Sequence, residues 1–241
     1  MRYAVLSDIH GNLEALQAVL ADAAERVDDV VCLGDVVGYG ADPGPCVDLV
    51  GTRARALVAG NHEHAVVGRL DLGWFNRYAR AAAEWTRERL DASCTAYLDA
   101  LPLTAVVGDA TLVHASPHQP QEWDYLMTAE DGLVAFTAFD TRLCFVGHSH
   151  VPAMWSLGSS GPDHVRGSVS VTLDAGRRYI VNVGSVGQPR DRDTRAAYAV
   201  WDVDARQITV RRVPYDVAAA RAKIEEAGLP RFLADRLAAG A

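Results

Sequence analysis

Five strand-like apolar runs in the first 150 residues each end on an acid, an amide or an imidazole. "RYAVLSDIH" ends on Asp8 and His10, "DDVVCLGD" on Asp35, "RARALVAGNH" on Asn61 and His62, "ATLVH" on His114, and "RLCFVGHSH" on His148 and His150. Short apolar runs bounded by turn residues read as buried strands. Where such strands alternate with helices they build an open α/β sheet, which gathers its ligand-binding groups at the carboxyl ends of the strands. Five segments can therefore converge on one crevice. His148 and His150 occupy alternate positions, so an extended backbone would aim both at one shared space.

The residue types at these ends are those of a metal site. Carboxylate oxygens and neutral imidazole nitrogens are ligands for Zn, Mn and Fe(II), whereas Cys32, Cys46, Cys94 and Cys144 lack metal-ligand spacing. Seven such ligands exceed one tetrahedral ion but suffice for two if a carboxylate bridges them. A bridged pair roughly 3.5–4 Å apart clamps the attacking and leaving oxygens of phosphoryl transfer.

The remaining pattern frames this site. Asn12 is a candidate N-cap for a helix through "LEALQAVLADAAER", residues 75–90 and 93–100 read as helices, and Thr128 with Asp131 forms a capping box. "TAVVGDATLVHAS" reads as two strands joined by a tight Gly-Asp turn. The second half reads as five strands, "PAMWSL", "SVSVTL", "RYIVNVGS", "AAYAVWDVD" and "QITVRRVPY", with "GSSGPDHVRG" a turn-rich connection. Asp216 would cap a closing helix that stops at Gly228. No linker or repeat divides the chain, so we expect one domain over residues 1–241, with two sheets face to face and helices outside.

The net charge of −8 argues against a non-specific DNA binder, which neutralises phosphates with Lys and Arg. No uninterrupted apolar run is long enough for a bilayer, and no signal peptide precedes "YAVLSD". Buried, unpaired cysteines fit a reducing compartment, so the expectation is a cytoplasmic protein without membrane or nucleic-acid partners. Self-association into a homo-oligomer stays open.

Asp-x-His, Gly-Asp, Gly-Asn-His-Glu, a lone His and Gly-His-x-His, in that order over residues 8–150, resemble the calcineurin-like metallophosphoesterase family. The resemblance implies an α/β four-layer αββα sandwich of two packed mixed β-sheets flanked by helices. It implies two divalent metal ions, Mn, Fe, Zn or Ni, and hydrolysis of a small phosphate mono- or diester by a metal-bound hydroxide. Asp8, His10, Asp35 and His150 would hold the first ion. Asp35, Asn61, His114 and His148 would hold the second, with Asp35 bridging. His62 would not be a ligand but the general acid for the leaving group.

The chain departs from some relatives in "GDVVGYG". Protein serine/threonine phosphatases and diadenosine tetraphosphate hydrolases carry a phosphate-gripping Arg where this chain has Tyr39. The protein phosphatases orient the acid histidine with an Asp where this chain has Gly38, so the orienting group of His62 is open. "GDxVGYG" is similar to a group of small bacterial phosphoesterases, and "NVGSVGQPRD" to a loop of that group near the site. Tyr39 and Arg190 are thus candidate substrate-binding residues, with Arg192 and Arg195 on the same stretch. His64 and His118 are rim or plain surface histidines, and His164 an ordinary loop residue. Trp74, Phe75, Tyr78 and Trp85 read as core or subunit contact, or as a lid, ahead of a base-stacking platform. Two other readings stand beside the small-ester hydrolase: a nucleotide or nucleic-acid phosphodiesterase, and a catalytically weak, metal-bearing scaffold for a protein partner.

Overall fold

The first apolar runs fold as strands separated by helices: β1 (Arg2–Leu6), α1 (Leu13–Ala23), β2 (Asp29–Cys32), α2 (Pro43–Arg53) and β3 (Ala54–Leu57). Asn12 starts α1 by accepting the N–H of Ala15 on its side chain. The computed structural model describes residues 1–159, 161–167 and 169–241. After β3 come α3 (Asn61–Val67), α4 (Arg77–Arg87), α5 (Ala92–Asp99), β4 (Thr104–Val107), β5 (Ala110–Val113), α6 (Ala129–Ala135) and β6 (Leu143–Val146). The chain continues through β7 (Ala153–Gly158), β8 (Gly161–Arg166), β9 (Ser170–Thr172), β10 (Arg178–Asn182), β11 (Ala196–Asp202) and β12 (Gln207–Val213), then α7 (Val217–Glu226) and α8 (Arg231–Ala239). Gly108 and Asp109 make the expected tight turn, with Val107 paired to Ala110 and Gly108 at φ +57°.

α2 falls on a stretch to which the sequence reading assigned no element; Pro43 and Pro45 sit in its first turn, where proline is tolerated. Three sequence expectations need correction. "GPDHVR" is not a loop but strand β8, paired antiparallel to β7, and the His164 ring stacks on Trp155 at 4.6 Å. The chain does not close at Gly228, since α8 follows immediately after Pro230. Asn61 and His62 are not strand residues but the first turn of α3. Ser160 of the connection and Ser168 of "SVSVTL" lie outside the described residues.

The strands form two mixed six-stranded sheets, in the orders β3-β2-β1-β11-β12-β9 and β4-β5-β6-β10-β7-β8. In each sheet three neighbours run parallel: β1, β2 and β3 in the first, and β5, β6 and β10 in the second. The sheets pack through Val5, Val31, Leu33, Leu112, Phe145, Val181 and Trp201. Trp201 stacks on Tyr3 at 5.1 Å and tilts against Phe145 at 5.5 Å, so the inner layer is pinned by aromatic contacts. Leu16 and Val19 of α1 and Val47 and Val50 of α2 cover the first sheet, while Phe136 and Phe139, just beyond α6, pack with Trp155 on the second. Each such aliphatic or aromatic side chain stabilises the sandwich by about 1.5–3 kcal/mol. The result is an α/β sandwich, two mixed sheets with helices outside, whose parallel strands all bring their carboxyl ends to one edge.

Candidate metal centre

The site residues leave those carboxyl ends by left-handed turns. Asp8, His10, Asp35, Tyr39, His148 and His150 all have φ between 51° and 63°. Non-glycine residues there are strained by about 1 kcal/mol or more each, and such strain clusters at functional sites. The alternation expected for His148 and His150 is therefore absent, because β6 ends at Val146 and both residues turn left-handed. Their imidazoles still converge on the site, but through turns rather than through strand pleating.

Asp8, His10, Asp35, Asn61, His62, His114, His148 and His150 are all buried. Three groups bring ligand atoms within 4.8 Å of one another: Asp8, His10 and His150; His10, Asp35 and His62; and Asp35, His114 and His148. His148 and His150 thus fall in different groups, while Asp35 belongs to two. His62, expected to stand apart from the ligands, is within ligand range of His10 and Asp35. His64 and His118 fall in none of these groups; His64 instead meets Trp123 edge-on at 5.1 Å.

Hydrogen bonds fix the tautomers. Nδ1–H donates to Val37 O from His10 (3.1 Å), to Leu33 O from His114 (3.0 Å) and to Gln188 O from His150 (2.6 Å). A carbonyl only accepts, so each Nδ1 carries a proton, and whenever the ring is neutral its Nε2 presents a bare lone pair. The Nε2 atoms of His10 and His150 face each other at 3.1 Å, and His114 Nε2 faces His148 Nδ1 at 3.1 Å. The lone pairs of His10 and His150, brought this close, repel unless a cation or proton lies between them.

The carboxylates are arranged by the same logic. Asp35 Oδ1 accepts the His62 N–H at 2.9 Å, leaving Oδ2 3.2 Å from His114 Nε2 and 3.7 Å from His10 Nε2. Asp8 Oδ2 accepts the His148 N–H at 3.0 Å, leaving Oδ1 3.2 Å from His150 Nε2. Asp8 Oδ1 and Asn61 Oδ1 are buried with no hydrogen-bond partner among the described residues. Orphaned buried oxygens and unshared imidazole lone pairs are what divalent ions with oxygen and nitrogen ligands require, so these residues fit a metal.

Electrostatics agrees. Burial works to raise Asp8, yet His150 and then His114 hold it below the usual carboxylate range. Burial likewise opposes ionised Asp35, and His114 followed by His62 outweighs it. Burial pushes His62 down to about 4 and His148 to about 3, and lowers His10 and His150, so these rings stay neutral near pH 7. His114 is the exception: burial lowers it, but Asp35 and Asp8 push it up to about 9. That proton occupies the position a metal would take.

The sequence reading gave no role to several supporting residues. Glu63 accepts four backbone N–H groups, from Asp35 (2.7 Å), Val36 (2.8 Å), Val37 (3.2 Å) and Gly60 (2.7 Å), and so holds the turn that presents Asp35. Burial, then the charge of Asp35, push Glu63 up to about 7 against those donors. Asn182 donates to Gly147 O at 2.6 Å, and Ser185 Oγ donates to Asp8 O at 2.8 Å, stitching the "NVGSVGQ" segment across both metal-facing turns. Gly-Asn-His-Glu carried a signal for Glu63, since an acid two places after the ligand Asn sits at the third helical position.

Gly38 explains the missing orienting carboxylate. A Cβ on Gly38 would lie 2.2 Å from His62 Nδ1, and Gly38 has φ +87°, so no side chain fits there. His62 is instead held by rings: Tyr39 at 4.5 Å, His10 at 4.8 Å and Phe75 at 4.8 Å. Arg190 lies with its guanidinium carbon 5.7 Å from the Tyr39 ring and donates to Gln188 Oε1 at 3.0 Å. Arg195 is held by Asp193 at 2.7 Å, which removes it as a phosphate grip.

Comparison with known proteins places this architecture. A solved metallophosphoesterase from Sphaerobacter thermophilus superposes with a TM-score of 0.87 at 47% identity, covering 100% of this chain and 99% of its own. A hypothetical protein from Pyrococcus horikoshii OT3 shares the fold, with a TM-score of 0.81 at 20% identity and 100% and 98% coverage. An uncharacterized protein from Methanocaldococcus jannaschii is 39% identical over 244 residues, 98% of this chain and 97% of that protein. The family model of the calcineurin-like phosphoesterase superfamily domain matches residues 1–206, and the chain belongs to that superfamily.

Proposed function

We propose that this protein is a two-metal phosphoesterase that hydrolyses a small phosphate mono- or diester. The observation that carries the reading is the set of carbonyl-fixed imidazoles whose bare nitrogens meet the freed oxygens of Asp8 and Asp35. Asp8, His10, Asp35 and His150 would hold one divalent ion, and Asp35, Asn61, His114 and His148 the other. These ligands accept Mn, Fe, Zn or Ni. Ions bound there supply an activated water and neutralise charge on the phosphoryl oxygens.

The chain's own side chains complete the chemistry. His62 lines the cleft beside the centre; burial holds the free ring neutral, and a phosphoryl anion bound beside it would favour the protonated imidazole that gives its proton to the departing oxygen. Burial raises Tyr39 above its ordinary value, so its hydroxyl stays protonated near pH 7 and available to donate. Arg190 supplies the cation that relatives place at the Tyr39 position. No helix among the described residues is long and apolar enough to cross a membrane, and all four cysteines are unpaired, which supports a cytoplasmic location.

Reconstitution with manganese followed by assay on an aryl phosphate tests the proposal. Turnover that a chelator abolishes and added metal restores is expected. A fully loaded protein inert toward mono- and diesters would leave a metal-bearing scaffold instead.

A further inference from the structure

A cleft of about 410 Å³ opens beside the centre, with His62, Asn61 and His148 in its lining. That volume suits a small organic ligand, whose sites span roughly 300–1,000 Å³. Because His62 lines the cleft, a group lying in it is within reach of the His62 proton, which makes it the leaving group.

The cleft walls are aromatic and come from two segments remote in sequence. Trp74 and Phe75 precede α4, while Trp123 and Tyr125 follow β5. Tyr125 stacks on His148 at 4.1 Å with 24° between planes, and Phe75 lies against His62. Of the readings the sequence left for Trp74, core is excluded, since it is 83% exposed, and Tyr125 is 51% exposed. Trp85 does pack inward, its Nε1 donating to Ala227 O at 3.0 Å. Exposed aromatic surface gathered around a cleft marks a ligand-binding wall.

Polar groups on the same lining narrow the class. Asn76 uses its Oδ1 to accept the N–H groups of Tyr78 and Ala79, which leaves its amide NH₂ free to donate. Gln121 and Glu122 add a donor and acceptors, and among the described residues Glu122 is the one side chain on the lining that is charged near pH 7. A ring with a hydrogen-bonding edge is favoured over a plain aryl group, and a leaving group with its own phosphate is disfavoured by Glu122.

We propose that the ester cleaved here has an uncharged alcohol bearing a planar heteroaromatic ring as its leaving group, a nucleoside-type substrate. The proposal rests on the phosphoesterase reading above. The oxygen of water forms the new P–O bond, the P–O bond to the alcohol breaks, and His62 protonates the departing oxygen. For a monoester the products are inorganic phosphate and the free nucleoside.

Comparison of adenosine 5′-monophosphate and guanosine 5′-monophosphate with glycerol 3-phosphate on the manganese-loaded protein tests this, because all three leave as primary alkoxides. Stacking on aromatic side chains predicts a preference of about tenfold or more in kcat/KM for the nucleotides. Trp74→Ala, a change at a solvent-exposed side chain, should reduce that preference several-fold, chiefly through KM. Equal turnover of nucleotide and glycerol phosphates overturns the proposal and leaves the phosphoesterase standing. So does a preference that survives both Trp74→Ala and Tyr125→Ala. No turnover of any phosphate ester by the loaded protein removes the reading beneath it.

Discussion

Asp35 Oδ2 lies 3.2 Å from His114 Nε2 while the other oxygen of the same carboxylate is held by a backbone N–H. One oxygen sets the orientation and the other faces the centre, and Asp8 repeats the arrangement with His148 and His150. His114 is oriented in turn by Leu33 O, two residues before Asp35, so the two ligands are referenced to one stretch of chain. Such outer hydrogen bonds set ligand direction as firmly as the ligand types do.

Glu63 should be the most sensitive residue that touches no ion. Its two oxygens each take two backbone N–H groups, and a glutamine would turn an NH₂ toward one of those pairs. Glu63→Gln is expected to destabilise the metal-free protein by about 2–4 kcal/mol, the effect of two buried donors losing their acceptor. Urea unfolding measures it, and a variant within experimental error of the parent would remove Glu63 from this role.

His62 separates catalysis from metal binding. His62→Asn should keep both ions and lose about 10²–10⁴-fold in rate on alkyl phosphates, the usual contribution of a general acid. The loss should shrink for nitrophenyl esters, whose leaving group needs little protonation. Because His62 stands within ligand range of His10 and Asp35, metal content must be read alongside rate. A variant that loses an ion makes His62 a ligand.

Arg190 should act on substrate rather than on metal. Its guanidinium lies beside Tyr39 and, among the described residues, pairs with no carboxylate. Arg190→Ala is expected to lower kcat/KM about tenfold, the order of one charge-assisted hydrogen bond to phosphate, with metal content unchanged. Unchanged kinetics across mono- and diesters would return it to the surface.

Asp22 sets an acid limit on stability far from the site. Arg211 holds it at 2.8 and 3.1 Å and Tyr198 at 2.7 Å, tying α1 to β11 and β12. The Arg211 contact, with Tyr198 and against partial burial, brings its pKa down to about 2. The folded pKa is below the unfolded value of about 3.9, so the contribution is full above that value and fades as pH falls toward 2. Asp22→Asn should therefore destabilise the metal-free protein by about 1–2 kcal/mol between pH 5 and 8. The gap should close as pH falls from 4 to 2, and a gap independent of pH would contradict the assignment.

The strands and the ligand types were legible because apolar runs and chemically distinct residues are local properties. α2 and α8 were not, since Pro43, Pro45 and Pro230 are helix-start residues that look like breakers when read without their partners. β8 was hidden for a similar reason: "GPDHVR" has no apolar alternation, and only pairing with β7 makes it a strand. At the site, six of the seven ligand candidates fall into ligand-range groups, and Asn61 stands buried at the start of α3 with its Oδ1 unpartnered among the described residues. What could not be read was direction: apart from the local Gly60 N–H on Glu63, Glu63, Asn182 and Ser185 act through backbone groups 26 to 177 residues away. The aromatic cleft was missed because Trp74 and Tyr125 are neighbours only after folding.

Metal stoichiometry tests the two-ion centre most directly. Elemental analysis of protein reconstituted with excess manganese and freed of unbound metal should give two ions per chain, and Asp35→Asn should lower occupancy at both positions because Asp35 is shared. At most one ion per chain in the unmutated protein, under metal excess, would contradict the account.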